Sequence, residues 1–367
     1  MKFGVCIALT HPWRLVEMSV GLADAMKADS LWAPDHLLGL SHPVLWAERA
    51  SASVLADPDA FTDPFVLGAA IGRMTSIPYG IAVTDTTRRG PADIARTALT
   101  LQHLCPGGFN LGLGSGEAEN IVPFGYSYDR PVARTEAFLK TLTTLLDTGR
   151  MPDGVGRLGL PRESEAGRVK VWVAAHGPRM LRLTGQYADG WLPAFSMAPQ
   201  EYAESKAVIA RHAAASGRPE PESGLFRFVL LGESRNRIKE MFEADPLAKL
   251  QALFRTGATW QKYGLDHPAG NDSKGIVDVI PHNLDPQVLR ELAPRIPFEL
   301  VEEGSTTLMG TVSEIAEKLR EYAERGCEHL VAANITGLVG GMSEAMARIP
   351  DFLALREAVD KFPRSQS

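Results

Sequence analysis

The chain has 367 residues, 45% of them hydrophobic, with 38 Lys and Arg against 44 Asp and Glu for a net charge of −6. That length suits one large α/β barrel or two ordinary domains, with enough apolar residues for a sizeable core. A negative balance without a basic block argues against a nucleic-acid partner, and no run approaches the ~18–20 apolar residues of a membrane span.

The N-terminus, MKFGVCIALTHPWRLVE, lacks a signal-peptide layout, because its apolar run is short and no small-residue cleavage site follows. Cys6, Cys105 and Cys327 are each isolated among apolar residues, so they read as core thiols of a reducing, cytoplasmic compartment.

KFGVCIAL (2–9) is a nearly continuous apolar run, the pattern of a strand buried on both faces. A helical stretch around 15–28 leads to a strand that ends in Asp35–His36. IPYGIAVT (77–84) is the next strand. PADIARTALTLQHLC (91–105) places Ile94, Ala98, Leu101 and Cys105 on one helical face, with Pro91 suited to the first turn. FNLGLGSG (109–116), VKVWVAA (169–175), DGWLPAF (189–195) and LFRFVLLGE (225–233) are further strands. Thr311 and Glu314 form a capping box, Ile315, Leu319, Tyr322 and Ala323 make an apolar stripe, and Gly326 stops that helix. EHLVAANI (328–335) is the last strand. Strands alternating with helices imply a parallel sheet, and eight of them favour a closed (β/α)₈ TIM barrel. Residues 37–76 and 246–305 are too long for simple connections and read as insertions of lid or binding-loop type within one domain, 1–367.

Several chemistries have no support. GLGSGE (112–117) has G-x-G-x-G spacing, which is not the dinucleotide fingerprint, and there is no phosphate-binding G-x-x-x-x-G-K-[ST] loop. No His/Cys spacing suggests metal ligands, and neither Ser115 nor Ser196 sits in a nucleophile elbow. Asp266–His267–Pro268 reads as a solvated loop. Polar residues instead gather just past the strand ends, the rim where parallel barrels do chemistry. Asp35–His36 follows the second strand. Thr84, Arg88 and Arg89 follow the third, and Ser115, Gly116, Glu117 and Asn120 follow the fourth. AAHGPRM (174–180) follows the fifth. An imidazole at position 36 can exchange a proton near neutral pH, and a partly desolvated Glu117 can be held protonated as an acid. The glycines around it permit close approach to a flat ligand. Arg179 and Arg182 open a helix whose free N–H groups favour anions.

The Asp-His pair, VTDTTRRGPADIA (83–95), GLGSGEAEN (112–120) and WVAAHGPRMLRLTGQYADGW (172–191) together resemble the luciferase-like flavin superfamily. Within it the chain is most similar to the branch that uses the deazaflavin coenzyme F420. WVAAHGPRMLR and YGLDHPAGNDSKGIVDVIP (263–281) look like the mycobacterial phthiodiolone ketoreductase type.

The resemblance implies that His36 and Glu117 are the proton-transfer residues, while Asp35 and Asn120 hold the cofactor. It implies further cofactor contacts at Thr84, Ser115, Gly116, Ala175, His176, Gly177, Arg179 and Met180. The family often carries a non-prolyl cis peptide in the third strand, here at Ile81–Ala82 or Ala82–Val83. The cofactor's acidic tail would sit near Arg179, Arg88 or Arg89. Leu40 stands where the sugar-phosphate dehydrogenases of this fold have a Trp, and their phosphate-binding lysines have no counterpart. The expected activity is thus an F420-dependent ketoreductase acting on a small, weakly polar carbonyl compound. The alternatives are an FMN-dependent monooxygenase of the same superfamily and a deazaflavin-binding protein without catalysis. A homodimer is common in the superfamily, although no sequence feature argues for it.

Overall fold

The computed structural model describes residues 1–7 and 11–362; the end of the expected first strand, residues 8 and 9, lies outside the described residues. Eight parallel strands form a closed ring: β1 (Lys2–Cys6), β2 (Ser30–Ala33), β3 (Tyr79–Asp85), β4 (Phe109–Gly114), β5 (Lys170–Val173), β6 (Gly190–Trp191), β7 (Glu222–Leu231) and β8 (His329–Asn334). Each pairs with its neighbours in sequence order, and β8 closes onto β1 with Lys2 opposite His329. Every strand expected from the sequence is present, with helices between them. β2 and β4 are buried along their whole length because one face meets the barrel interior and the other the helix layer.

The outer layer follows the sequence pattern. Helix Pro91–Leu104 starts on its proline and buries Ile94, Ala98 and Leu101. Helix Val312–Glu324 carries the capping box of Thr311 and Glu314. The barrel interior is plugged by Trp32 and Trp172, whose rings meet edge to face at 5.4 Å, together with Leu192, Phe226 and Val331. Beneath that plug a polar chain runs from Trp32 Nε1 to Ser30 Oγ, then to His329 Nε2, while His329 Nδ1 and Lys2 Nζ both meet Glu222 Oε1. Cys105 and Cys327 are buried and Cys6 partly so, all three as free thiols; burial pushes Cys6 up to about 12 and Cys105 up to about 11.

The two long excursions carry short helices, including Pro43–Trp46, Pro64–Ile71, Gly257–Gln261 and Pro286–Leu292. The second has its own apolar cluster around Trp260, Leu289, Leu300 and Val301, joined by Leu45 of the first. His282 Nε2 and Asp59 Oδ2, 2.8 Å apart, tie the two together. His267 is not solvated, contrary to the sequence pattern: it is buried, with Nε2 against the Leu253 carbonyl oxygen at 2.9 Å. Strand Thr307–Gly310, which the sequence pattern did not suggest, pairs along the end of β7. No helix among the described residues is long and apolar enough to cross a membrane.

Candidate active site at the strand C-termini

The turns after β2, β3 and β4 converge at the barrel mouth. Asp35 is buried and its Oδ2 accepts from Thr84 Oγ1 at 2.6 Å. Arg88 donates to the Asp35 carbonyl oxygen at 2.8 Å, reaches the Asp35 carboxylate at 3.1 Å and pairs with Asp85. Burial works against the Arg88 charge, and the two aspartates more than offset it. Arg88 is therefore committed to the protein. Arg89 pairs with Asp63 and lies over the Phe65 ring, and the exposed Arg179 stands 3.7 Å from Glu136.

His36 and Asn120 meet across the mouth. Asn120 Oδ1 accepts the Leu37 and Leu38 N–H groups at 2.6 and 3.3 Å, which fixes the orientation of its amide. Its Nδ2 then donates to His36 Nδ1 at 3.0 Å and to Glu119 Oε1 at 3.1 Å. His36 Nδ1 must be an acceptor, so the proton of the neutral ring sits on Nε2. No described residue hydrogen-bonds to that Nε2. Phe61, from the first excursion, packs against the His36 ring at 5.6 Å.

Glu117 is half-buried beside Glu119, whose side chain is fully buried. Burial, reinforced by the Glu117 charge, pushes the Glu119 carboxyl well above the usual carboxylate range, which favours one proton on the Glu117–Glu119 pair. Ligand atoms of His36, Glu117 and Glu119 lie within 4.8 Å of one another. The Asn120 N–H already occupies the lone pair of His36 Nδ1, so that nitrogen is not free to bind a metal while the contact stands.

The wall of the mouth comes from β3 and β4. A non-prolyl cis peptide joins Ala82 and Val83, one of the two expected positions, and the β3–β4 register shifts between Ile81 and Thr84. Ala82 and Val83 pack onto the barrel interior, whereas Ile81 belongs to the helix-side core. A Cβ on Gly112 would fall 2.0 Å from the Ile81 carbonyl oxygen, so this glycine is required by the protein's own backbone. Gly116 has φ +87°, and a Cβ there would strike Ile121 at 2.4 Å. Tyr128 Oη donates to the Gly116 carbonyl oxygen at 2.6 Å and anchors the loop beyond it.

After β5, the neighbour of β4, His176 stacks on Phe195 at 4.5 Å, and its Nε2 accepts the Ala194 and Phe195 N–H groups at 3.2 and 3.1 Å. Burial, then the Arg227 charge, lowers His176 to about 4, so the ring is neutral with its proton on Nδ1. Gly177 precedes helix Pro178–Tyr187, which has no side-chain cap, and a Cβ on Gly177 would meet nothing within 4 Å. Ala175 and Met180 are buried in the helix–barrel core. Ser115 lies partly exposed beside Gly116.

The structure thus gathers Asp35, His36, Thr84, Gly116, Glu117 and Asn120 after β2, β3 and β4, with His176 and Gly177 on the turn after the adjoining β5. Sequence reasoning missed Glu119 and Phe61. The first had a signal, a second carboxylate two residues after Glu117; the second had none, because only tertiary folding brings residue 61 to residue 36.

A family model described as luciferase-like monooxygenase matches residues 1–329. The chain is 33% identical over 340 residues to the phthiodiolone/phenolphthiodiolone dimycocerosates ketoreductase of Mycobacterium kansasii, covering 88% of this chain and 92% of that protein. It is 23% identical over 280 residues to the 5,10-methylenetetrahydromethanopterin reductase of Methanolobus tindarius, covering 76% and 79% of the two chains. Among solved structures, an F420-dependent secondary alcohol dehydrogenase in complex with an F420-acetone adduct superposes with a TM-score of 0.70 at 17% identity, covering 98% of each chain. An EDTA monooxygenase from Chelativorans sp. superposes at 0.66 and 16% identity, over 100% of this chain and 95% of that one. At such identities the likeness speaks for the fold, whereas the family match and the mycobacterial relative speak for descent. The chain belongs to the luciferase-like monooxygenase family and is an enzyme of that oxidoreductase group.

Proposed function

We propose that the protein is a coenzyme F420-dependent oxidoreductase that reduces a carbonyl group on a weakly polar substrate. The observation that carries this reading is the cluster of His36, Asn120, Glu117 and Glu119 at the barrel mouth. It offers a hydrogen-bond donor for a carbonyl oxygen beside a protonated carboxyl group. The 33% identity to a ketoreductase supports the same direction.

The residues present fit a deazaflavin. Ala82 and Val83 offer an apolar wall for a flat ring, while Asp35, Thr84 and Asn120 line the same side. The open space at Gly177, before an uncapped helix N-terminus, suits an anionic group such as a phosphate. When bound, the reduced cofactor would supply the hydride. The chain's own residues would hold the substrate oxygen against His36 Nε2 and deliver its proton from the carboxyl pair. Val122, Phe124 and Tyr126 are exposed on the loop anchored through Tyr128, and with Leu37 they give the rim an apolar surface. Such a rim suits an aliphatic ketone better than a sugar phosphate.

Spectral titration with F420 and with FMN tests the cofactor, followed by turnover on a panel of aliphatic ketones. The expected result is tighter binding of F420 and ketone reduction without oxygen uptake. Preferential FMN binding with substrate-dependent oxygen consumption would replace this reading by a monooxygenase. Deazaflavin binding without turnover on ketones or alcohols would leave a binding protein.

A further inference from the structure

Glu119 combines three observations that no sequence motif explains. Its side chain has no exposed surface, its Oε1 accepts from Asn120 Nδ2 at 3.1 Å, and no donor among the described residues reaches its buried Oε2, while the Glu117 carboxyl stands within hydrogen-bonding reach of the side chain. A carboxylate with one bare oxygen in such a place is strongly disfavoured, and a carboxylic acid is not. The charged and titratable groups facing it are Glu117 on its own segment, His36 after β2, Arg88 after β3, and Tyr128 on the loop beyond. Arg88 is already paired with Asp35 and Asp85, so its pull on Glu119 is outweighed by burial and the Glu117 charge, and no lysine or other arginine among the described residues pairs with Glu119.

We infer that Glu119 stores the proton taken up by the substrate oxygen, releasing it through Glu117, and that His36 acts as a neutral hydrogen-bond donor. This rests on the carbonyl-reduction reading above. His36 Nδ1 receives the Asn120 N–H, so the ring cannot also carry a proton there. Were the neutral ring to give up its Nε2 proton, an imidazolate would remain, and no cationic side chain among the described residues contacts that nitrogen. A neutral imidazole can still polarise a carbonyl through its N–H. The acid is then the carboxyl pair, which shares one proton because two adjacent carboxylates resist double ionisation. As hydride reaches the carbonyl carbon, the carboxyl O–H bond breaks and an O–H bond forms on the substrate oxygen. The pair, left doubly negative, recovers a proton from water through Glu117, its half-buried member. Glu119 acts through Glu117 and Asn120 and is a positioning residue in this scheme.

Glu119→Gln separates the stored proton from the packing, because its amide oxygen can still accept from Asn120. Infrared difference spectroscopy of the protein without cofactor is expected to show a protonated-carboxyl band at pH 8 that is absent in Glu119→Gln. With the cofactor and a ketone, wild-type kcat should stay level from pH 6 to 8. In Glu119→Gln it should fall progressively over that range, reaching about a 10²-fold loss at pH 8 with KM little changed. Glu119→Leu, which also removes the Asn120 acceptor, should lose more. Absence of the band in the wild type, its persistence in Glu119→Gln, or a wild-type pH profile in that variant would each overturn the assignment. Failure to bind deazaflavin would remove the ketoreductase reading, while the infrared band would still decide whether Glu119 holds a proton.

Discussion

Asn120 Nδ2 lies 3.0 Å from His36 Nδ1, while its Oδ1 accepts the Leu37 N–H at 2.6 Å. One amide therefore sets both the tautomer of the imidazole and the turn that carries it. The two residues are 84 positions apart and meet because β2 and β4 both flank β3 and end at the same rim.

Replacing Asn120 by Asp should convert the donor at His36 Nδ1 into an acceptor and draw a second proton onto the ring. Nitrogen NMR of the imidazole would show the change of protonation directly. The Nε2–H stays in place in such a variant, so the readout is the protonation of the ring and not the loss of its donor. An unchanged imidazole spectrum in Asn120→Asp would mean that the amide does not set the tautomer.

Arg88 and Arg89 are adjacent in sequence and differ in environment. Arg88→Gln leaves Asp35 and Asp85 buried without their cation, an effect of about 3–5 kcal/mol. Arg89→Gln removes a partly exposed pair with Asp63 and the contact over the Phe65 ring, together worth under about 2 kcal/mol. Urea unfolding midpoints of the two variants should therefore differ clearly, and equal midpoints would contradict the placement of Arg88.

Gly112→Ala tests the wall of the mouth. Its Cβ would fall 2.0 Å from the Ile81 carbonyl oxygen and 2.9 Å from Val83 Cγ1, so β3 must move. Destabilisation of about 1–3 kcal/mol is expected, together with weaker cofactor binding as Val83 is displaced. Thermal melting and the spectral titration measure the two effects separately.

The base of the barrel should respond to acid. Burial alone would raise the Glu222 carboxyl, but His329 and Lys2 override it and bring it down from 4.5 to about 2. A carboxyl depressed in the folded state stabilises the protein above its unfolded pKa, and that contribution fades as pH falls from 4.5 towards 2. Glu222→Gln should lower stability at neutral pH and flatten the acid limb of the stability curve. Melting temperatures between pH 7 and 3 check both points.

The barrel was legible because each strand is buried on both faces. Burial demands apolar runs such as those at 2–7 and 109–114, and the intervening helices reveal themselves by their 3.6-residue stripes. The fourth-strand segment had a second reason for its glycines. GLGSGE suggested room for a ligand, and within the protein Gly112 also answers the Ile81 carbonyl and Gly116 answers Ile121. Glycine reports that something comes close without saying what. The two-residue ladder of β6 was overestimated. The rest of its apolar pattern, Leu192 to Phe195, forms a wall loop whose amides are held by His176.

The sequence by itself determined the barrel, its order of strands and the rim on which Asp35, His36, Glu117 and Asn120 lie, because local periodicity and strand-end chemistry are short-range properties. Tertiary structure decided the surroundings of the rim. Arg88 became a buried counter-ion to Asp35 and Asp85, His36 came to accept the Asn120 N–H at Nδ1, and burial raised the Glu119 carboxyl, because these effects depend on neighbours that arrive from distant parts of the chain.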